Sequence, residues 1–223
     1  MRVKVAPLAA LNLLLLTAMV VAGLPGIVAT AIRLPSEVTI KALELGQPAD
    51  KDAVDQAVVR LQSASDWSNA ARADLALAIL AQGPSIPDRV AGDHAARQLR
   101  LYLAASPDDS LAWANLALAE NRRGISAAAA IAYKMSIELA PESAMNLIAR
   151  CGFGIDIYAA LDDEGKKTLA RQCQMAMDPS LDGSISYNLV EMLKQKKVLS
   201  LAKVLMAGDP EASRKFEGLA PKP

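Results

Sequence analysis

Beyond residue 35 the apolar positions of this 223-residue chain recur every third or fourth residue, in runs rich in Ala, Leu, Glu, Lys and Arg. That period sets the apolar side chains on one face of a helix, and those residue types cost least to hold helical. The pattern predicts helices over Ser36–Leu45, Ala49–Ser63, Trp67–Ala81, Asp88–Ala105, Ser110–Arg123, Ser126–Leu139, Ser143–Leu161, Glu164–Met177, Ser184–Gln195, Val198–Met206 and Glu211–Phe216. Turn signals stand between them: Gly83-Pro84 with Pro87, Ser106-Pro107-Asp108-Asp109, Gly124, Pro141, Asp162-Asp163, Asp178-Pro179 and Gly208-Asp209-Pro210. No alternating strand pattern occurs, so the expected class is all-α. Several links are short, which makes sequential helices antiparallel neighbours.

The first residues follow a different pattern. Positions 5–32 carry no charge, with Arg2 and Lys4 before them and Arg33 after. About 20 apolar residues suffice to cross a bilayer, so the run is long enough for a single transmembrane helix, kinked near Pro25-Gly26. One fate is an uncleaved anchor whose N-terminus stays on the cytoplasmic side with Arg2 and Lys4. The other is a signal peptide with apolar part Leu8–Val21, cleaved after Ala22 or Ala31. The unbroken length favours the anchor. No Cys lies near the end of the run, which excludes a lipoprotein. Either fate exports the remainder, although Arg33 and Lys41 just beyond the span weaken the orientation cue.

The domain expectation is therefore 1–33 as anchor or signal peptide, 34–206 as a helical domain, and 207–223 as a basic tail. Charge narrows the function. The chain balances 24 basic against 24 acidic residues, so bulk charge gives no nucleic-acid signature. Residues 34–191 hold 14 basic and 21 acidic side chains, and residues 192–223 hold 7 and 3. Lys194, Lys196, Lys197 and Lys203 form either a solvated terminal face or a dock for an acidic partner or lipid head groups.

One spacing repeats. Ala95, Leu99 and Pro107 recur as Ala129, Tyr133 and Pro141, each 34 residues later. Within Ser110–Ser143, Trp113, Leu116, Ala117, Gly124, Ala129, Tyr133 and Pro141 occupy the places where the tetratricopeptide repeat has Trp, Leu, a small residue, Gly, Ala, an aromatic and Pro. The stretch resembles that family, whose pattern has the same period. Trp113 and Leu116 fall on the inward stripe of a first helix, small Ala117 and Ala129 allow a close crossing, and Tyr133 fills the gap between layers. Pro141 ends the second helix. The match is clear over 94–143 and degenerate elsewhere: an insertion of about twelve residues separates the helices of the preceding unit, and the following unit lacks the aromatic and Ala positions.

The resemblance implies a superhelix of antiparallel helix pairs that leaves a concave face for other proteins. Its groove residues would be Leu111, Ala114, Asn115, Leu118, Asn121 and Arg122, with Asn115 where family members often bond a peptide backbone. The chaperone-tail mode of the family needs matched basic residues in adjacent repeats, and this chain lacks them. The expectation is a non-enzymatic interaction scaffold, tethered to a bacterial inner membrane with its body in the periplasm. Its partners would be other envelope proteins or peptides, in an assembly such as polysaccharide export or secretion. The alternative is a soluble exported module released by signal cleavage.

Cys151 lies eleven residues before the turn at Asp162 and Cys173 eleven after it, which puts them at one height in a helical hairpin. In an oxidising compartment that predicts a Cys151–Cys173 bridge; in a reducing one, two buried thiols. Catalytic, metal and cofactor chemistry find little footing. His94 is the single histidine, and it sits at a helix start. Asp108-Asp109, Asp162-Asp163-Glu164 and Asp178 suit helix starts and lack calcium-loop spacing. Gly152-Phe153-Gly154 follows no strand and so is no phosphate cradle; close helix packing or a break explains it better. Met135, Met145, Met175, Met177, Met192 and Met206 read as core filling.

Overall fold

Aspartates and serines open most of the helices. Asp50 accepts a hydrogen bond from the Ala53 amide, Ser68 from Ala71, Asp109 from Leu111 and Ala112, Asp162 from Gly165, Asp182 from Ser184, and Asp209 from Glu211 and Ala212. Each side chain satisfies amides that a helix start leaves without an internal partner. Of the acidic turn residues, Asp109 and Asp162 are therefore spent on helix starts, whereas Asp178 accepts from the Ser180 amide in the turn before Asp182.

The computed structural model describes residues 17, 23–45, 47–82, 88–142 and 147–220. Residues 23–33 are helical (α1) and a single 3-10 turn, Leu34–Ser36, leads into α2 (Glu37–Glu44). Then follow α3 (Lys51–Ala64), α4 (Asn69–Ala81), α5 (Asp88–Leu103), α6 (Ser110–Arg122), α7 (Ser126–Leu139), α8 (Leu147–Asp156), a 3-10 turn (Tyr158–Ala160), α9 (Asp163–Met175), α10 (Gly183–Gln195), α11 (Leu199–Met206) and α12 (Pro210–Leu219). The fold is all-α, with no strand among the described residues.

The chain divides into two compact units between Gln82 and Gly83. In the first, α3 packs on α4 and α2 lies against both. Its core includes Ile40, Val54, Leu61, Leu75 and Ile79. Ala29 of α1 is fully buried, and Arg33 at the end of α1 pairs with the buried carboxylate of Asp74 on α4.

In the second unit α6 packs on α5 and α7, α8 on α9 and α10, and α11 on α9 and α12. Only three residues join α6 to α7, so the two run antiparallel. Gly124 makes this turn possible: its φ is +79°, its amide bonds the Asn121 carbonyl and the Ile125 amide bonds that of Glu120, the left-handed helix stop that favours glycine. The α10–α11 turn has the same hydrogen bonds, Lys197 N–H to Lys194 and Val198 N–H to Leu193, but Lys197 holds the positive φ, 58°.

One expectation differs from what is seen. The segment read as one helix over Ser143–Leu161 is α8, a break at Ile157 and a 3-10 turn; its first residues, 143–146, lie outside the described set. Both Ile157, at the break, and Leu161, after the 3-10 turn, are buried. Within residues 207–220 the helix expected over Glu211–Phe216 is present as the longer α12, held by buried Ala212 and Phe216. Of the expected membrane span at 5–32, residues 5–16 and 18–22 lie outside the described set, and no helix among the described residues is long and apolar enough to cross a membrane.

Candidate functional site

On α6, Leu111, Ala114, Asn115 and Leu118 follow the i, i+3, i+4, i+7 spacing that sets side chains on one helix face. Together they form one wall of a cavity of about 270 Å³. The opposite wall comes from α8, through Ala149, Arg150, Gly152, Phe153 and Asp156. Tyr133 of α7, Met192 of α10 and Lys196 just past the end of α10 complete the lining. Apolar side chains dominate the lining. Its polar residues are Asn115, Tyr133, Arg150 and a Lys196–Asp156 ion pair, 2.6 Å apart.

Two glycines let the walls approach. A Cβ on Gly152 would lie 2.7 Å from Met192 Cε, and one on Gly154 would lie 2.5 Å from the Tyr133 hydroxyl. The Gly-Phe-Gly run thus serves close packing, with Phe153 between the glycines facing the cavity. Its ring centroid is 6.0 Å from that of Tyr133.

Within the lining, Tyr133 is buried and donates its hydroxyl proton to the Arg150 carbonyl at 3.2 Å. Burial pushes its phenol pKa up. The Arg150 side chain is buried too, and its guanidinium donates to the Ala140 carbonyl at 2.6 Å and to Ser136 at 2.5 Å. A cation at the C-terminal end of α7 meets the negative end of that helix. No carboxylate bonds it among the described residues, and burial lowers its pKa.

A Cys151–Cys173 disulfide ties the α8 wall to α9, with the Cα atoms 5.0 Å apart and both residues fully buried. Asp162, which opens α9, has its pKa lowered by the Gly165 amide and by Lys134 of α7, 3.1 Å away.

The sequence-expected groove is brought together in part. Asn121 and Arg122 lie outside the cavity lining. The reason for Arg122 is visible: its Nε is 4.0 Å from Asp88 of α5, and its Cβ sits where Gly92 leaves room. Among the repeat positions Leu116, Ala117, Ala129 and Tyr133 are buried. Trp113 is half-buried, its indole N–H donating to the Pro107 carbonyl at 2.8 Å, and Pro141 is exposed.

Sequence reasoning passed over Glu120. This carboxylate is 1% exposed and binds Arg100 at 2.5 Å and Arg123 at 2.6 Å, while Arg123 also binds Asp93 at 2.6 Å. The network fastens α5 to α6. A buried charge demands such partners, but the sequence shows only an ordinary surface-type residue. His94 is half-buried, and burial together with nearby Arg97 lowers its pKa. No three His, Cys, Asp or Glu side chains converge on a cation site among the described residues.

No family model matches the chain, and no curated protein sequence matches it.

Proposed function

We propose that this protein is a non-enzymatic interaction scaffold of the tetratricopeptide type, anchored by its N-terminal apolar run to a bacterial inner membrane with its helical body in the periplasm. The apolar cavity between α6 and α8 carries the reading. Leu111, Ala114, Leu118, Phe153 and Met192 line a recess that takes an apolar side chain of a partner segment. Asn115 and the Lys196–Asp156 pair offer polar contacts to that segment's backbone. The 34-residue spacing supports the family assignment: Ala95 and Ala129 are both fully buried, and so are Leu99 and Tyr133 four residues on. The Cys151–Cys173 bridge supports export, because such bonds persist in oxidising compartments. The partners in this reading are other envelope proteins, in an assembly such as polysaccharide export or secretion.

Burial of Ala29 bears on release by signal cleavage. A cut after Ala31 would strip Ala29 from the folded unit, so a released form would begin at Gly23. Intact mass of the exported protein separates anchored from released.

A photoreactive amino acid at Asn115, irradiated in intact cells, tests the groove. The expected result is capture of a discrete envelope protein, abolished when Ala114→Trp fills the recess. Capture that survives Ala114→Trp, or that occurs only from the Lys194–Lys203 face, would move the binding site away from α6.

A further inference from the structure

Among the described residues, one side of the first two helices is exposed. Backbone angles at Arg33, Ser36 and Glu37 are all right-handed helical, so helical periodicity carries from α1 through the 3-10 turn into α2. At 100° per residue, Ala29, Ser36 and Ile40 fall on one side, and all three are buried. Leu24, Ile27, Val28, Leu34 and Val38 fall on the other, with exposures of 47%, 67%, 49%, 58% and 82%. The stripe from Leu24 to Val38 is about 21 Å long at 1.5 Å per residue. Ala31 and Pro35 complete it, so no charge interrupts it. Single exposed apolar residues are ordinary, but a contiguous row marks a contact surface.

We infer that this stripe lies against lipid, so that the first unit rests on the bilayer instead of hanging from a free linker. The inference builds on the proposal that the N-terminal run is a membrane anchor. Two observations single out lipid as the occupant. First, the charge-free run of positions 5–32 is about eight residues longer than a span requires, and its surplus is the start of this stripe. Second, Arg33, the first charge after the run, does not end the apolar face. It turns to the opposite side and pairs with buried Asp74. Side chains past it, Leu34 and Val38, therefore prolong the surface begun within the run. Glu37 and Lys41 flank the stripe at its water-facing edge.

The test uses the full chain in vesicles of phosphatidylethanolamine and phosphatidylglycerol. Cys151 and Cys173 are joined, so a single introduced cysteine is the one thiol open to a fluorophore. Leu14→Cys reports the anchor, Val38→Cys the stripe, and Ser63→Cys an exposed polar position of α3. Val38 and Ser63 are exposed, so neither change disturbs packing. The expected result is that lipid-borne nitroxide quenches the labels at 14 and 38 several-fold more than the label at 63, and aqueous iodide the reverse. If the label at 38 behaves like that at 63 while 14 is quenched from lipid, the stripe proposal falls and the anchor stands. If 14 is also open to iodide, both fall. Oxidative cross-linking of Val38→Cys into dimers, without lipid quenching, would assign the stripe to a second copy and overturn the proposal.

Discussion

Tyr133 of α7 occupies the space that a side chain on Gly154 of α8 would need: a Cβ there would sit 2.5 Å from the phenol oxygen and 2.8 Å from Cζ. Leu169 Cδ1 closes the other side at 2.5 Å. Tyr133 cannot retreat, because it is buried and hydrogen-bonded to the Arg150 carbonyl. Gly154→Ala should therefore cost about 2 kcal/mol, the usual scale of overpacking a well-filled core. Gly218→Ala, in α12 with nothing within 4 Å of the added methyl, is the matched control and should be neutral or slightly stabilising. Urea midpoints of the two variants decide it; equal midpoints would show that the α7–α8 contact is looser than described.

The two left-handed turns give a paired prediction. Gly124 and Lys197 hold the same place after α6 and α10, at φ +79° and 58°. A side chain at positive φ costs about 1 kcal/mol or more. Lys197→Gly should raise stability by about 1 kcal/mol and Gly124→Ala should lower it by a similar amount. Thermal melts that move in the same direction for both would refute the shared turn geometry.

Helix positions were legible because they depend on near-neighbour chemistry. Ser126–Leu139 coincides with α7, and Asp109 opens α6 where the turn signal placed it. The α6 wall of the cavity was legible for the same reason, since i, i+3, i+4 and i+7 spacing alone sets Leu111, Ala114, Asn115 and Leu118 together. The facing wall was not. Phe153 lines it because two glycines let α8 and its neighbours close up, and Met192 arrives from forty residues away. Nothing local distinguishes a methionine that lines a cavity from one that fills a core. Arg122 illustrates the opposite error: it continues the α6 stripe by periodicity, but Asp88 and the gap at Gly92 draw it towards α5.

The disulfide joins positions 22 residues apart. Closing a loop of that size in the unfolded chain stabilises the fold by about 3 kcal/mol in the chain-entropy description. It holds α8, which supplies five residues of the cavity lining and carries two helix-weakening glycines. Cys151→Ala/Cys173→Ala should lose about that stability and weaken capture from Asn115 more than capture from any site on α12. The mass of the exported protein should rise by two hydrogens on reduction. An unchanged mass would mean free thiols in the cell.

The Arg33–Asp74 pair predicts a pH dependence confined to the first unit. Asp74 is 8% exposed and Arg33 39% exposed. Burial raises the Asp74 pKa, and the bond from Arg33 lowers it without cancelling that effect; the same bond raises the pKa of Arg33. The folded-state value for Asp74 therefore lies above the unfolded one, about 3.9. Between those two values the folded chain holds this proton more tightly than the unfolded chain does. The contribution to stability is full below the unfolded value and is lost as pH rises through the folded one. Asp74→Asn should remove that slope. Arg33→Ala should steepen it and cost about 2 kcal/mol near neutral pH, because it leaves a buried carboxylate without its partner. Much of that loss should return in Arg33→Ala/Asp74→Asn, since the double variant has no buried charge to strand. Stability of all four proteins measured from acid to neutral pH provides the check. A double variant no better than Arg33→Ala would show that Arg33 acts through packing and not through the pair.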